Sequence, residues 1–366
     1  MMKVLHVIDS MDMGGAQSLI AELAPAQKEQ GVEVTVLQLV DSVDRTFICR
    51  LEDNDIPVLS LSKQRSVRNI YNIIVLMPYL RRFDVVHVHL FPANYWVALA
   101  KMFSFSKTPI VTTEHSTDNK RRKIKIFKYI DASIYKQYHA IIACSDKAKE
   151  TFEEHFKSIK CLSIPNGVNI RKYNEAQPYS KGELIGVDEG CFICTMVARF
   201  VPSKRQDVIV RAMAQLPDTF HALFVGGTEN DEGLIKVRDL SKSLGVENRI
   251  HFLYLRSDVP RILKSSDVIV MSSEYEGLSL SSIEGMACGH PFVASDVNGL
   301  REVVNGAGVL VKCGDVEGLA SVLMELKNNA GYREEIICRC GERASQYDIK
   351  KVAGNYIQLY KELLAE

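Results

Sequence analysis

Short runs of β-branched and other apolar residues alternate along the chain with longer stretches of helical periodicity. Each run has the length of a buried strand and is bounded by turn-forming or polar residues. A strand, a helix and a second strand in this order connect by a right-handed crossover, so the pattern predicts an α/β fold with mostly parallel sheets. The predicted strands are Lys3–Asp9, Glu33–Leu39, Pro57–Leu61, Asp84–Leu90, Pro109–Thr113, Ala140–Ala143, Cys161–Ile164, Cys191–Ala198, His221–Val225, Ile250–Leu253, Val268–Ser272, Pro291–Ala294 and Gly308–Val311.

The longer stretches between these runs have the apolar spacing of helices that bury one face. A stretch of the same kind closes the chain. The clearest segments predicted as helices are Ala16–Gln30, Ser66–Arg81, Ala93–Met102, Ser281–Cys288 and Tyr347–Leu364.

A turn sequence, Pro165-Asn166-Gly167, interrupts the alternation, and polar sequence follows it to about Gly190. A second series of strands and helices then begins. We therefore predict one doubly wound domain over residues 1–165 and a second over residues 166–346. The last helix, about 347–366, is expected to pack back on the first domain.

Length and composition agree with two soluble domains. The chain has 366 residues, of which 46% are hydrophobic and 25% charged, and this length accommodates two cores. No apolar run reaches the ~20 residues of a membrane-spanning helix, and the start of the chain lacks a cleavable signal pattern. The nine cysteines are scattered, as is typical of reduced thiols. We expect a cytoplasmic protein.

The segment after the strand at Val268 has the features of a ligand site. Open α/β sheets bind ligands beyond the carboxyl ends of their strands, so two such domains predict a site in a cleft between those edges. Here a loop with Glu276 and Gly277 precedes a helix that we expect to begin at about Ser281. The positive end of a helix dipole and a glycine that permits close backbone approach favour a bound anion.

Two glutamates in this segment, Glu276 and Glu284, are eight residues apart. A carboxylate can accept two hydrogen bonds from the vicinal hydroxyls of a ribose or a sugar ring. For Glu284 a structural role is equally plain, because Ser281 and Glu284 have the spacing of a capping box in the first helical turn. Glu276 has no comparable structural explanation.

The spacing of these glutamates, followed by Gly-Met-Ala-Cys-Gly-His-Pro-Phe-Val-Ala-Ser, resembles the donor-site signature of the family 4 retaining glycosyltransferases. These enzymes have the GT-B fold, with two Rossmann-like domains facing across a deep cleft. The resemblance extends over nearly the whole chain. It implies metal-independent, retaining transfer of a hexose or N-acetylhexosamine, without a cofactor, in bacterial surface-polysaccharide or glycolipid synthesis. The implied partners are a UDP-linked donor and a glycan or lipid-linked acceptor.

By this resemblance, Glu276 contacts the transferred sugar and Glu284 binds the nucleotide ribose. The implied donor-binding loop is Gly277-Leu278-Ser279-Leu280. The family commonly has Phe-Gly-Leu there, so the identity of the sugar is not implied. A second departure is Asn298, which stands where the family usually has a glycine.

Two cationic residues follow the first strand of the second domain. In Val197-Ala198-Arg199-Phe200-Val201-Pro202-Ser203-Lys204, the residues Arg199 and Lys204 match the family positions that bind the donor diphosphate. A leaving nucleoside diphosphate develops negative charge, which fixed cations in a dry site stabilise. The alternative is a solvated basic loop, although its place at the end of a strand favours a site.

The first domain contributes two further candidates. Gly14 and Gly15 open a helix after the first strand and resemble the family's glycine loop, which lies against the donor phosphate and the acceptor. They are not a dinucleotide fingerprint, because its third glycine is missing. His115 follows a strand and matches the family histidine that contacts the donor sugar near the reacting carbon. The alternative for His115 is a polar histidine in a loop.

Metal binding is not expected. Cys191 and Cys194 are three residues apart in a predicted strand and so face opposite sides of the sheet. His87 and His89 share one strand face, but the sequence offers no evident third ligand near them. We therefore predict core or site-lining histidines there.

The positive charge of the first domain is concentrated at Lys120–Lys128, KRRKIKIFK, where six of nine residues are basic. The stretch from Lys120 to Tyr138 interleaves these charges with apolar residues. It is typical either of an amphipathic helix on an anionic membrane surface or of an ordinary packed helix with a solvated face. A peripheral position on the inner face of the cytoplasmic membrane is one expectation, and no nucleic-acid partner is expected.

Two other functions fit the same sequence features. A nucleotide-sugar epimerase can use the same two-domain fold, and a non-catalytic partner could bind a sugar-nucleotide within a glycan assembly complex. A dehydrogenase fits least well, because its cofactor fingerprint is absent.

Overall fold

The structure, a computed structural model, describes residues 1–12, 14–62, 66–115, 125–276 and 279–365, without the side chains of residues 125 and 126. The chain divides into two compact units. The first unit is Met1–Gly167 with Ile349–Glu366, and the second unit is Val168–Asp348. The chain passes from one unit to the other twice, and each of these boundaries lies two residues beyond the position suggested by the sequence.

The first unit is built on a seven-stranded parallel sheet. Its strands are β1 Lys3–Ile8, β2 Glu33–Gln38, β3 Val58–Ser60, β4 Val85–His89, β5 Ile110–Glu114, β6 Ala140–Ala143 and β7 Leu162–Ser163. They are ordered β3-β2-β1-β4-β5-β6-β7, so the direction of winding reverses between β1 and β4. The carboxyl ends at such a reversal are where open α/β sheets bind ligands.

Helices cover both faces of this sheet, which explains why β1 and β4 are almost continuously buried. The helices of this part of the chain are α1 Gly15–Glu29, α2 Thr46–Glu52, α3 Asn72–Leu76, α4 Ala93–Ser104, α5 Lys125–Tyr135 and α6 Asp146–His155.

One predicted helix of the first unit is wrong. The pattern over Ser66–Arg81 predicts a continuous helix, but the structure has only the five-residue α3 and a short 3₁₀ helix, Tyr79–Arg81. Pro78 separates the two elements. Proline lacks the N–H that would donate the next hydrogen bond of the helix.

The second unit is built on a six-stranded parallel sheet. Its strands are β8 Phe192–Val197, β9 Phe220–Val225, β10 Ile250–Tyr254, β11 Val268–Met271, β12 Phe292–Ser295 and β13 Val309–Val311. They are ordered β10-β9-β8-β11-β12-β13, with the reversal between β8 and β11. All thirteen predicted strands are therefore confirmed, and so are the α/β fold class and the doubly wound pattern.

Nine helices pack around the second sheet in the described residues. They are α7 Ile170–Asn174, α8 Lys181–Ile185, α9 Gln206–Met213, α10 Glu232–Ser243, α11 Val259–Lys264, α12 Leu280–Ala287, α13 Arg301–Val304, α14 Val316–Asn328 and α15 Ala330–Ser345.

The C-terminal helix, α16 Ile349–Ala365, belongs to the first unit and packs against α1. Its buried face includes Tyr356 and Tyr360, which join the core of that unit. Gly167 allows the helix to start close to the turn, because a Cβ there would lie 2.9 Å from both Ile349 Cα and Val352 Cγ2. Among the described residues, no helix has the length and apolar character needed to cross a bilayer.

This close approach makes Gly167 a test of how α16 is seated. Gly167→Ala is expected to lower the free energy of unfolding by about 1–3 kcal/mol, because the added methyl group forces the helix or its neighbours to move. Urea unfolding of the full chain measures the change. The matched control is Gly341→Ala, at an exposed position of α15 with no atom within 4 Å of the added Cβ. Equal stability of the two variants would contradict this packing.

Candidate active site

The centre of the second sheet brings two predicted site segments to one edge. β8 and β11 are parallel neighbours, with Val268 opposite Cys194 and Ile269 opposite Thr195. The segment after β8 carries Arg199 and Lys204, and the segment after β11 carries Glu276. Because parallel strands have their carboxyl ends at the same edge, these side chains are presented at the reversal point of the sheet.

Lys204 and Glu276 are in direct contact. The Lys204 ammonium donates a hydrogen bond to Glu276 Oε1, and the two side chains are only 18% and 12% exposed. The Ser273 hydroxyl donates to the same oxygen at 2.7 Å. Two little-exposed charges thus neutralise each other, and an anion that binds Lys204 must compete with this carboxylate.

A set of hydrogen bonds ties the two segments together. The Ser272 hydroxyl contacts the carbonyl oxygens of Lys204 at 3.0 Å and Arg205 at 2.8 Å. The backbone N–H of Glu274 donates to the carbonyl of Ser203 at 2.8 Å. These bonds fix the backbone on both sides of the ion pair. Sequence reasoning missed them, although serines directly after a buried strand are a signal for such contacts.

Arg205 stands beside the ion pair in the left-handed region, with a φ of 51°. Its guanidinium donates to Asp207 at 2.9 Å and to Glu274 at 2.9 Å. The hydrogen bond to Asp207 is the main reason that the pKa of Arg205 is raised above its usual value. Because Arg205 is paired with both Asp207 and Glu274, its guanidinium holds the segment after β8 to the segment after β11.

Arg199, in contrast, is exposed. Its carbonyl accepts a hydrogen bond from Gln206 Nε2 at 2.9 Å, which fixes its backbone at the start of the loop. Next to it lies a glycine pair, Gly226-Gly227, that was not predicted as part of the site. Gly226 has a φ of 129°, and a Cβ there would overlap the carbonyl oxygen of Ala198. Only glycine lets the chain after β9 pass this close to the chain after β8.

The helix after Glu276 begins earlier than predicted. α12 starts at Leu280, and its N-cap is Ser279, whose hydroxyl accepts from the Ser282 N–H at 3.3 Å. The predicted capping box of Ser281 and Glu284 is therefore wrong. Glu284 lies in the second turn and is half-buried.

The helix N-terminus itself follows the ion pair closely in the chain. Its first backbone N–H groups have no acceptor within the helix, so they and the helix dipole favour an anion at this end. Gly277 and Leu278, which the sequence assigns to the donor loop, lie outside the described residues. Across the loop, the carbonyl of Asn298 accepts from the Glu276 N–H at 3.4 Å. The backbone at Asn298 thus helps to hold the glutamate, whichever side chain stands there.

In the first unit, the glycine loop has the predicted position. Gly14 is the extended N-cap of α1, Gly15 is its first residue, and both are exposed. A Cβ on Gly14 would overlap Gln17 Oε1, while Gln17 Nε2 donates to the carbonyl of Ser10 at 3.1 Å. The glutamine side chain therefore lies over the turn between β1 and α1.

His115 directly follows β5 and is half-buried, as the sequence predicts for a residue at a strand end. Its Nε2 lies 3.0 Å from His89 Nδ1. Burial lowers the pKa of His115 to about 4, so its imidazole is neutral at neutral pH.

His87 and His89 share one face of β4 and are core histidines, as predicted, but a third possible ligand that the sequence did not make evident lies beside them. His6 on the neighbouring strand β1 joins them, with His6 directly opposite His87 in the register. All three rings are fully buried. The residues are far apart in sequence, and only the strand order brings them together.

The basic stretch is described only in part. Residues 120–124 lie outside the described residues, and α5 begins at Lys125. Within α5, Tyr129 is 77% and Ile130 is 40% exposed.

Comparison with known proteins now identifies the fold and the chemistry. A family model described as Glycosyltransferase Family 4 matches residues 13–172, and one described as Glycosyl transferases group 1 matches residues 184–343. The chain belongs to the family 4 glycosyltransferases. The two models together cover the greater part of both units of this glycosyltransferase.

Similar sequences come from several bacteria. The N-acetyl-alpha-D-glucosaminyl L-malate synthase of Bacillus anthracis is 27% identical, over 77% of this glycosyltransferase and 76% of that protein. The UDP-Gal:alpha-D-GlcNAc-diphosphoundecaprenol alpha-1,3-galactosyltransferase of Escherichia coli is 26% identical, over 80% and 76%. The phosphatidyl-myo-inositol mannosyltransferase of Mycobacterium leprae is 26% identical, over 95% and 93%.

Solved structures agree on the fold. The Anabaena Alr3699/HepE structure in complex with UDP matches with a TM-score of 0.84 at 22% identity, over 99% of this glycosyltransferase and 100% of that chain. A glycosyltransferase from Rickettsia africae matches with a TM-score of 0.83 at 20% identity, over 99% and 98%. The predicted GT-B fold is confirmed.

Proposed function

We propose that this glycosyltransferase moves a hexose or N-acetylhexosamine from a UDP-sugar to a glycan or lipid-linked acceptor, with retention and without a metal. The contact between Lys204 and Glu276 carries the proposal, because it joins a cation for a diphosphate to a carboxylate for sugar hydroxyls. Support also comes from related proteins. HepE binds UDP and, in a further structure, UDP-glucose. The name of the E. coli relative gives UDP-Gal as its donor and alpha-D-GlcNAc-diphosphoundecaprenol as its acceptor.

The ion pair suggests an order of events at the donor. Before the donor binds, Glu276 neutralises Lys204. The diphosphate then replaces the carboxylate on Lys204, with Arg199 and the N-terminus of α12 as further positive groups. The displaced Glu276 becomes available to accept hydrogen bonds from the sugar, and Glu284 is assigned to the ribose hydroxyls.

The same positive groups serve the transfer step. As the bond between the sugar and the diphosphate breaks, the leaving phosphate gains negative charge that Lys204 and Arg199 stabilise. The acceptor oxygen bonds to the anomeric carbon on the face that the diphosphate leaves, and the leaving phosphate oxygen takes the acceptor's proton. The anomeric configuration is therefore retained. By the family resemblance, the glycine loop of Gly14 and Gly15 is assigned to the donor phosphate and the acceptor. His115 is assigned to the transferred sugar. The cations and the helix N-terminus supply the charge stabilisation that a metal supplies elsewhere.

Binding of UDP alone tests this order of events. Lys204→Met is expected to weaken UDP binding roughly 10- to 100-fold, because a charge-assisted hydrogen bond contributes about 1.5–3 kcal/mol. Glu276→Gln is expected to strengthen UDP binding, because it removes the competing carboxylate. Titration calorimetry measures both changes.

A second ion pair of the same kind provides the control. Lys181 and Asp267 lie 2.7 Å apart, 13% and 29% exposed, at the amino ends of β8 and β11. Lys181→Met removes a comparable charge from the opposite edge of the sheet and should leave UDP binding unchanged. Equal losses in Lys181→Met and Lys204→Met, or weaker UDP binding in Glu276→Gln, would remove the basis of the proposed order.

Donor turnover tests the reaction class. The enzyme is incubated with a panel of UDP- and GDP-sugars in EDTA, with and without candidate acceptors, and the first-formed anomer is followed by NMR. We expect a UDP-sugar to be used with its anomeric configuration retained, and Lys204→Ala and Glu276→Ala to lose most of this turnover while remaining folded. Inversion, a metal requirement or near-normal turnover in either variant would refute the proposal. An epimerised nucleotide-sugar formed without acceptor would instead support the epimerase.

We also propose that the first unit docks on an anionic membrane surface through Lys120–Lys128. Apolar side chains are exposed on the helices around this stretch: Tyr129 of α5 is 77% exposed, Phe103 of α4 is 61% exposed and Ile74 of α3 is 57% exposed. The pairs α3–α4 and α4–α5 are in contact, so these residues lie on neighbouring elements. Basic and apolar side chains together are what an interfacial surface requires.

Vesicle flotation tests this surface. In vesicles with anionic lipid, Arg121→Gln/Arg122→Gln is expected to bind roughly 30-fold more weakly, at about 1 kcal/mol per basic residue. Lys157→Gln/Lys160→Gln, which removes two exposed charges elsewhere on the same unit, should bind like the unaltered protein. Equal flotation of all three proteins would exclude docking through this stretch.

A further inference from the structure

A row of hydrogen bonds connects the interior of the first unit to His115. Gln27 Oε1 on α1 lies 2.8 Å from His6 Nε2, and His6 Nδ1 lies 3.0 Å from His89 Nε2. His89 Nδ1 in turn lies 3.0 Å from His115 Nε2. Gln27, His6 and His89 are fully buried, whereas His115 is half-buried. The row uses both nitrogens of each interior ring.

Every ring in this row is neutral at neutral pH. Burial lowers the pKa of His6 to about 4 and that of His89 well below its usual value. A neutral imidazole has one N–H donor and one acceptor nitrogen. Each ring must therefore accept from one neighbour and donate to the other, and all N–H groups in the row point the same way. The group at its inner end decides which nitrogen of His115 has the proton.

That inner end is Gln27, whose amide has either its oxygen or its nitrogen toward His6. The neighbouring Tyr360 decides between these orientations. Its hydroxyl lies 2.6 Å from His87 Nδ1, shorter than N–H···O bonds and within the range of O–H donors, so Tyr360 donates its only proton there. Toward Gln27, 3.5 Å away, the Tyr360 oxygen is therefore an acceptor and faces the amide nitrogen. The Gln27 oxygen is left to face His6.

We propose that Gln27 is a positioning residue that, through His6 and His89, holds the proton of His115 on Nε2 and leaves Nδ1 as a hydrogen-bond acceptor. With the Gln27 oxygen as acceptor, His6 donates from Nε2, His89 donates from Nε2 to His6, and His115 donates from Nε2 to His89. Among the described residues, none bonds to His115 Nδ1. Tyr360 on the C-terminal helix supports the arrangement by orienting Gln27.

The protonation of His115 determines which ligand group it can bind. An acceptor nitrogen pairs with a hydroxyl or N–H donor and is repelled by the oxygens of a phosphate. His115 therefore recognises a hydroxyl of the sugar and not the diphosphate. This statement about the ligand rests on the proposed function, whereas the proton position of His115 does not.

A metal ion is the competing use of this cluster. The ligand atoms of His6, His87 and His89 lie within 4.8 Å of one another. Each of their ring nitrogens already has a hydrogen-bond partner, including Thr113 Oγ1 at 2.7 Å from His87 Nε2. A metal would displace several of these bonds and destroy the row, so the two uses exclude each other.

Long-range ¹H–¹⁵N NMR of the full chain labelled at histidine tests the proposal without any donor. Protonated and unprotonated ring nitrogens have distinct ¹⁵N shifts, and His115→Asn identifies the His115 signals by their loss. We expect His115 to be protonated at Nε2 only. In Gln27→Met, which has no acceptor oxygen, His115 should change from one tautomer to a mixture of two. Tyr360→Phe should cause the same change and serves if Gln27→Met does not fold.

The second unit provides an internal control. His221 and His251 form a separate pair, 3.1 Å apart, whose signals should be unchanged in both variants. Protonation of His115 at Nδ1 in the unaltered protein, or a single unchanged tautomer in both folded variants, would overturn the proposal. So would shifts of His6, His87 and His89 on addition of one equivalent of Zn²⁺. If only the donor experiments fail, the inference about the proton of His115 still stands, because the NMR experiment uses no donor.

Discussion

The arrangement of the second unit depends on an ion pair that is little exposed to water. Lys204 and Glu276 reach each other because β8 and β11 are parallel neighbours, and hydrogen bonds from Ser272 hold the loop that ends at Lys204. A lone charge in such a place would be costly, and the pair avoids that cost. The same pairing makes the site exchangeable, since a diphosphate can replace the carboxylate at Lys204 and the displaced Glu276 keeps the Ser273 hydroxyl as a donor.

The first unit presents a different chemistry at its own reversal point. Its interior row of histidines is uncharged, and its outer member is a neutral imidazole whose Nδ1 has no partner among the described residues. The second unit thus supplies positive charge suited to phosphate oxygens, and the first supplies a neutral acceptor suited to hydroxyls. The C-terminal helix takes part in this division, because its Tyr360 orients the glutamine at the inner end of the row.

Much of the fold could be predicted because buried parallel strands read as apolar runs of a definite length, and all thirteen were found. The predicted helix over Ser66–Arg81 failed although its apolar spacing is helical. The side chains of Ser66 and Asn69 accept backbone N–H groups in turns before α3, and Pro78 has no N–H to continue the helix. The start of α12 was misplaced because Ser279, Ser281 and Ser282 are all suitable caps, and local spacing does not choose among them. Periodicity identifies elements well and their ends poorly.

The candidate site was predictable where motif residues follow strands, as with Lys204, Glu276 and His115. It was not predictable where the partner comes from a distant strand. His6 joins His87 only because the sheet order places β1 beside β4, and Gly226 is required only because β9 ends beside Ala198. Contacts of this kind depend on strand order, which sequence spacing does not reveal.

A crystal structure of the enzyme with UDP bound would test the role of the ion pair at the atomic level. The diphosphate should contact Lys204 and Arg199 near the N-terminus of α12, with Glu276 no longer on the Lys204 ammonium and Glu284 on the ribose. A diphosphate bound elsewhere, with Lys204 and Glu276 still paired, would contradict the proposed site.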